Sequence, residues 1–242
     1  MQNVNQFKNV KITIMKNKVL FITQAKGGSG KSVLAFMLAE KYKHAKILDL
    51  DDATTTSIKQ LAYRNPIKVS FLDETTKRID RGAFNQLFES IANSNAELFI
   101  ADLGASVAEQ LPKYFSVTGI EAIAELLRSS EIDLQLICVV GGGNIFKATM
   151  EYLSELVDST KGQFQIVVAA NGLHPMSSVQ ADILNTYVTN NKLTLQHFDI
   201  AIDKGEHAMR TIENVLQKGN GLEGLNPFQL VYFMKGMENL NI

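Results

Sequence analysis

The sequence predicts a single α/β domain built on a doubly wound, mostly parallel sheet with helices on both faces. Short apolar, β-branched runs alternate with longer amphipathic stretches, a pattern typical of parallel strands joined by helical crossovers. Most of these runs are almost continuously apolar, which indicates strands covered on both faces. The 242 residues contain no low-complexity linker and no clear internal repeat, so one domain over 1–242 is the simplest organisation.

The predicted elements follow one another along the whole chain. The strands are predicted at 18–23, 45–50, 97–103, 134–140, 165–170 and 193–200, with an extra edge strand at 67–73. The helices are predicted at 31–43, 83–93, 107–114, 119–129, 145–159, 177–189 and 205–218. Residues 1–17 form a basic start that we expect to be mobile, and 226–242 form a C-terminal helix that begins at Asn-Pro.

Composition excludes several classes of protein. With 45% hydrophobic residues, 20% charged residues and a net charge of −1, the chain has the composition of an ordinary soluble domain, with no strong attraction to nucleic acid or membrane. The single cysteine, Cys138, lies in an apolar run and cannot belong to an internal disulfide framework. Lysines interrupt the N-terminal apolar residues, and no apolar run approaches the roughly 20 residues of a membrane span. We therefore expect a cytoplasmic protein.

A glycine-rich loop, "KGGSGKS" at 26–32, lies between a predicted strand and a predicted helix. Its three glycines allow backbone N–H groups to turn around phosphate oxygens, and the helix N-terminus adds partial positive charge. Lys31 would reach the β- and γ-phosphates, and the Ser32 hydroxyl would bind Mg²⁺. A glycine turn without a ligand is the alternative, and the Gly-Lys-Ser sequence in this context disfavours it.

Acidic residues stand at the ends of two predicted strands. Asp49 and Asp51 have alternate spacing in "ILDLDD", so both side chains should project to the same side. Asp102 ends the apolar run "LFIADL" and precedes Gly104. Carboxylates in these places are suited to holding Mg²⁺ and its waters, although Asp102 could instead cap the helix that follows it.

Three segments together resemble the ParA/MinD family of P-loop ATPases. "KGGSGKS" is similar to the family's deviant Walker A loop, KGGxGK[ST], whose first lysine reaches the phosphates of the partner subunit; the resemblance implies that role for Lys26. "LDLDD" resembles switch I, which implies that Asp51 positions the attacking water and that Asp49 lies near the metal. "IADLGAS" resembles the Walker B and switch II region, which implies that Asp102 belongs to the Mg²⁺ shell.

"VVAANG" places Asn171 just past a strand, where many family members hold an asparagine against the adenine edge. The GTPase signature Asn-Lys-x-Asp is absent, so ATP is favoured over GTP. His174 is interpreted as a surface residue of the loop rather than a base contact, and the second glycine cluster, 141–143, as a tight strand-to-helix turn.

The predicted catalytic residues are Lys26 and Asp51, and the predicted metal ligands are Ser32, Asp49, Asp51 and Asp102. The predicted nucleotide-binding residues are Lys26, Gly27, Gly28, Ser29, Gly30, Lys31, Ser32, Val33 and Asn171.

The two switch segments depart from the family pattern. Asp52 and Ala53 replace the usual Pro-Gln, and "DLGAS" replaces Asp-x-Pro-x-Gly. Val33 replaces a common second hydroxyl after the loop but keeps its backbone N–H. Switches of this type resemble those of plasmid-borne relatives in stability, mobilisation and conjugative transfer. They imply slow ATP hydrolysis that a partner stimulates.

The resemblance implies a Mg²⁺-dependent ATPase that dimerises on ATP and positions or segregates plasmid DNA or a transfer complex. It also implies a protein partner from a partition or transfer system. A small-molecule P-loop kinase or synthetase, and a regulatory module with little turnover, remain the alternatives.

Direct DNA binding is predicted to be weak and non-specific, because segment 191–242 has five basic and six acidic residues. Membrane binding through the C-terminal helix is disfavoured, since Lys235 is its single basic residue.

Overall fold

The computed structural model describes residues 15–52, 59–73, 75–76, 78–200 and 214–242. Seven strands form one sheet, and every pairing between them is parallel. The strands are β1 (Asn17–Thr23), β2 (Lys46–Leu50), β3 (Ile67–Lys68), β4 (Leu98–Leu103), β5 (Ile132–Gly141), β6 (Gln165–Asn171) and β7 (Thr194–Phe198). Their order across the sheet is β3-β2-β4-β1-β5-β6-β7. The predicted parallel, doubly wound sheet is confirmed.

Helices connect the strands and cover both faces of the sheet. They are α1 (Lys31–Lys41), α2 (Ala83–Ala92), α3 (Ala105–Thr118), α4 (Ile120–Ser129), α5 (Phe146–Thr160), α6 (Ser178–Asn190) and α7 (Pro227–Glu238). Side chains of α1 and α7 belong to one hydrophobic core, and side chains of α2 to α6 belong to a second core on the opposite face. Burial on both faces explains why the strands are almost continuously apolar.

Most predicted elements are present, with three differences. The edge strand predicted at 67–73 is reduced to the two residues of β3, and the strand predicted at 193–200 ends at Phe198. Most of the helix predicted at 205–218, and most of the basic start at 1–17, lie outside the described residues. No helix in the described part of the chain combines the length and hydropathy that crossing a bilayer requires.

The third difference is the length of α3, which the sequence predicts only over 107–114. Pro112 lacks an N–H and therefore cannot donate to the carbonyl of Ala108, one turn earlier. The Tyr152 hydroxyl donates to that carbonyl instead, at 2.9 Å. Because the orphaned acceptor is satisfied from α5, the helix continues through the proline.

The C-terminal helix packs on its own domain. Asn226 caps α7 in a capping box with Gln229, and Pro227 occupies the first turn. The Phe233 ring is fully buried, with its centroid 5.6 Å from that of Phe36 on α1. The other side of α7 is exposed and includes Phe228, which is 77% exposed.

Phe233 and Phe228 make a matched pair for testing this packing. Phe233→Ala should lower the free energy of unfolding by about 3–5 kcal/mol, the usual cost of removing a buried phenyl ring. Phe228→Ala should change it by less than about 0.5 kcal/mol, as exposed substitutions usually do. Urea unfolding of both variants measures the difference, and equal losses would contradict the packing of α7 on α1.

Candidate functional site

The central strands bring the predicted site residues to one edge of the sheet. β1 lies next to β4, and β4 lies next to β2, so the carboxyl ends of the three strands are adjacent. Asp49 on β2 pairs in register with Asp102 on β4, which also pairs with Ile22 on β1. The carboxyl edge of an open parallel sheet is where such folds bind ligands.

The glycine loop joins β1 to α1 and has two residues in the left-handed region. Gly28 has φ 73° and Gly30 has φ 100°, values at which a side chain is strained. A Cβ on Gly30 would also lie 2.2 Å from Nδ2 of Asn171, whereas a Cβ on Gly27 or Gly28 would meet no heavy atom within 4 Å. The loop is therefore packed tightly at Gly30 and open at its first two glycines.

Ser32 and Asp102 are joined by a hydrogen bond at the start of α1. The Ser32 hydroxyl donates to Oδ2 of Asp102 at 2.7 Å. Asp102 is buried within β4, and the N-cap of α3 is Gly104, which has no side-chain capping bond. Asp102 is thus not a helix cap, and its carboxylate points to the glycine loop.

Asp49 is a buried carboxylate with a strongly perturbed pKa. Its Oδ1 accepts from the backbone N–H of Asp51 at 3.2 Å, while Oδ2 has no hydrogen-bond partner among the residues that the structure describes. Burial, and next the nearby Asp102 carboxylate, raise the pKa of Asp49 to about 7. A cation close to this pair would relieve the repulsion and favour the ionised form.

The residues after β2 contact the segment that follows β4 and the segment that follows β3. A Cβ on Gly104 would lie 2.6 Å from Oδ1 of Asp51 and 2.8 Å from its Cα, so only glycine permits this approach. Asp52 accepts the backbone N–H of Phe71 through Oδ2 at 2.7 Å. Asp52, one of the departures from the family pattern, therefore attaches this segment to the chain that follows β3.

The two lysines of the loop have opposite environments. Lys31 is only 8% exposed, and burial lowers the pKa of its ammonium group despite the opposing charges of Asp102 and Asp51. Lys26 is exposed, and its side chain makes no hydrogen bond or ion pair with any residue in the described part of the chain. An anion in the loop would stabilise the Lys31 charge, and Lys26 is accessible from outside.

Two side chains hold the loop from behind: sequence reasoning missed Gln24, and it predicted Asn171 as a nucleotide contact rather than a loop contact. Gln24 Nε2 donates to the Val139 carbonyl at 2.8 Å, and its Oε1 accepts the Lys26 N–H at 3.2 Å. Asn171 Nδ2 donates to the Ser29 carbonyl at 2.7 Å. The signal available for Gln24 was a polar residue at the end of an apolar strand, the same signal that singled out Asn171.

The segment after β6 also contacts the loop. His174 Nε2 bonds to the Gly28 carbonyl at 2.9 Å, so this residue belongs to the wall of the loop. The second glycine cluster supports it, because Gly142 donates its N–H to the His174 carbonyl at 2.8 Å. A Cβ on Gly142 would lie 2.4 Å from the Pro175 carbonyl oxygen, so the approach requires glycine.

The carboxylates do not form a metal cage by themselves. No group of three or more His, Cys, Asp or Glu side chains is close enough to hold a metal ion within the described ranges. The site instead offers a hydroxyl and separate carboxylates beside the glycine loop. This donor set suits Mg²⁺, which prefers oxygen ligands and usually takes one or two carboxylates, phosphate oxygens and waters.

Comparison with known proteins supports the fold. No protein-family model matches the chain, and no curated protein matches its sequence. A protein from Borrelia burgdorferi B31, described as a plasmid partition protein and bound to AMPPNP, matches 93% of this chain and 96% of its own. The identity is 14% and the TM-score is 0.53. The chain has the P-loop NTPase fold. The expected P-loop NTPase fold is thereby confirmed.

Two further matches to this P-loop NTPase fold have lower scores. A second plasmid partition structure from Borrelia burgdorferi has 14% identity and a TM-score of 0.45 over 84% of this chain and 98% of that one. The signal recognition particle receptor FtsY from Elizabethkingia anophelis has 13% identity and a TM-score of 0.48 over 90% and 65%. At these scores neither match adds to the argument.

The raised pKa of Asp49 predicts how stability changes with pH in the absence of metal and nucleotide. Between about pH 4 and pH 7 the folded state keeps a proton that the unfolded chain releases, so the free energy of unfolding falls as the pH rises, by up to about 1.4 kcal/mol per pH unit. Asp49→Asn cannot ionise and should remove this dependence. Its stability should exceed that of the wild type at about pH 8 and converge with it towards about pH 4.

Urea unfolding with a chelator present, repeated across this pH range, measures the effect. Asp133→Asn is the control, since Asp133 is an exposed residue of β5. If the free energy of unfolding changed with pH in the wild type as it does in Asp49→Asn, the raised pKa of Asp49 would be wrong.

Proposed function

We propose that this protein is a Mg²⁺-dependent ATPase that dimerises on ATP and acts as a positioning or segregation switch for plasmid DNA maintenance or transfer. The observation that carries the proposal is the 2.7 Å hydrogen bond between Ser32 and Asp102 beside a glycine loop with a buried lysine, Lys31. The partition protein that shares the fold was solved with AMPPNP, an ATP analogue. That similarity supports nucleotide binding of the partition type.

The residues present fit a magnesium ion and a triphosphate. Ser32 and Asp102 would bind the ion directly or through its waters, and Asp49 would add negative charge behind them. The buried position of Asp49 Oδ2, which lacks a hydrogen-bond partner among the described residues, favours a cation nearby. When bound, magnesium would neutralise charge on the β- and γ-phosphate oxygens.

The chain itself contributes phosphate binding and water positioning. Lys31 and the loop N–H groups, including that of Val33, would bind the phosphates. Asp51 would orient the water whose oxygen attacks the γ-phosphorus while the bond to the β–γ bridging oxygen breaks, giving ADP and phosphate. The N–H of Asp51 is held by Asp49, and its side chain lies against Gly104. These two contacts fix the position of the Asp51 carboxylate.

Lys26 would act across a dimer. Its side chain is exposed and makes no polar contact within the described residues, so it is available to the phosphates of a second subunit.

The dimer would respond to a protein partner of a partition or transfer system. Direct DNA contacts would be weak and non-specific, given the near-neutral charge of segment 191–242. A metabolic kinase or synthetase would need a substrate pocket with additional basic residues beside the loop.

The two lysines should separate binding from dimerisation. Lys31→Ala should weaken ATP binding by about 10-fold or more, because a charged contact to phosphate contributes about 1.5–3 kcal/mol. Lys26→Ala should bind ATP almost normally but lose the ATP-induced dimer and turnover. Calorimetry measures binding, and sedimentation with ADP or a non-hydrolysable ATP analogue measures dimerisation.

Lys43→Ala is a suitable control, since Lys43 is an exposed lysine that pairs with Glu40 at the far end of α1. If Lys26→Ala dimerised and turned over ATP like the wild type, the cross-subunit role would be wrong. A normal ATP affinity in Lys31→Ala would refute the phosphate contact.

Asp51→Ala should bind ATP and remain in the ATP state, because the residue acts on the water and not on the ground-state phosphates. Loss of such positioning is expected to slow single-turnover hydrolysis by about 100-fold. A quenched-flow or slower single-turnover measurement with saturating enzyme tests this directly. Undiminished hydrolysis would remove Asp51 from the mechanism, and an absence of hydrolysis in the wild type would favour the regulatory module.

A further inference from the structure

Two backbone carbonyls of the glycine loop are held by side chains from the segment at the end of β6. The Ser29 carbonyl accepts from Asn171 at 2.7 Å, and the Gly28 carbonyl bonds to His174 at 2.9 Å. Because a carbonyl oxygen only accepts, His174 must carry a hydrogen on Nε2. Both contacts join parts of the chain that are more than 140 residues apart.

Peptide geometry converts these two contacts into an orientation of the loop N–H groups. In a trans peptide unit, the carbonyl of one residue and the N–H of the next point in opposite directions. Because the Gly28 and Ser29 carbonyls point to these side chains, the N–H groups of Ser29 and Gly30 point away from them, to the opposite side of the loop. Successive N–H groups that point to one side form a concave site for an anion.

The Asn171 side chain is buried, and both of its polar atoms are hydrogen-bonded. It is 2% exposed, and its Oδ1 accepts the backbone N–H of Leu173 at 2.9 Å. That bond leaves Nδ2 facing the loop, where Gly30 approaches so closely that a Cβ would lie 2.2 Å from it. The amide therefore cannot rotate without breaking these two hydrogen bonds.

We propose that Asn171, together with His174, is a positioning residue that sets the phosphate-binding conformation of the loop. The proposal rests on the proposed nucleotide binding. It gives Asn171 a role different from the adenine contact that the family resemblance implies, because a residue that orients loop N–H groups affects any triphosphate, whether or not it carries a base.

The experiment compares ATP with inorganic triphosphate, which has no base. Calorimetry gives the dissociation constants of both ligands, with Mg²⁺, for the wild type and for Asn171→Asp. The substitution conserves shape but places a carboxylate oxygen against the Ser29 carbonyl. We expect both ligands to bind about 10-fold more weakly or worse, by the same factor, because the substitution breaks a buried hydrogen bond.

Asn191→Asp is the matched control. Asn191 lies at the exposed end of α6, and its Nδ2 donates to the Tyr187 carbonyl at 2.9 Å, so the same chemistry is changed far from the loop. This variant should bind both ligands like the wild type. A loss in Asn171→Asp that is confined to ATP would overturn the proposal in favour of base contact, and so would an unchanged affinity for both ligands.

A second pair of variants keeps the test valid if Asn171→Asp does not fold. His174→Ala removes the donor to Gly28, whereas His174→Gln retains an amide N–H that can reach the same carbonyl. Weaker binding of both ligands in His174→Ala, with recovery in His174→Gln at similar melting temperatures, supports positioning rather than a general loss of structure. Equal affinities in both variants and the wild type would overturn it. Failure of the wild type to bind either ligand would instead overturn the proposed function.

Discussion

Two carboxylates buried side by side at the ends of adjacent parallel strands impose the main constraint on this site. The register of β2 and β4 places Asp49 opposite Asp102, and neither side chain reaches solvent. Their mutual repulsion and desolvation are costly unless a proton or a cation is present. The pKa of Asp49 is raised to about 7, so a proton on this carboxyl relieves the repulsion, and the Ser32 hydroxyl donates a hydrogen bond to Asp102. The sheet thus creates a demand for positive charge beside the glycine loop.

The conformation of the glycine loop depends on contacts with other parts of the chain. Glycines permit the left-handed backbone at 28 and 30, but permission does not select one conformation. Selection comes from contacts behind the loop, in which Gln24 holds the Lys26 N–H and Asn171 holds the Ser29 carbonyl. The result is a loop whose packed side faces the protein and whose open side includes Gly27.

The parts that could be predicted from the sequence are those encoded locally. The strand–loop–helix order, the Gly-Lys-Ser sequence and Asp102 at the end of an apolar run each lie within a few residues, so periodicity and motif spacing were sufficient. The contact between Asn171 and Ser29 spans 142 positions in sequence and depends on the order of β1, β5 and β6 in the sheet. The extension of α3 through Pro112 also required a distant donor, Tyr152. The shortness of β3 could not be predicted, because strand propensity does not determine how many residues pair with the neighbouring strand.

The pair of lysines illustrates why position in the fold, and not residue type, determines chemistry. Lys31 follows the loop on the first turn of α1 and is buried, so desolvation lowers its pKa and an anion is needed to stabilise its charge. Lys26 precedes the glycines and is exposed on the open side of the loop. A buried cation next to Asp102 and Asp51 acts on whatever the loop encloses, because nothing outside the loop can reach it. An exposed cation on the rim acts on whatever approaches the rim. The loop therefore carries one buried lysine and one exposed lysine, and the roles proposed for them differ for that reason.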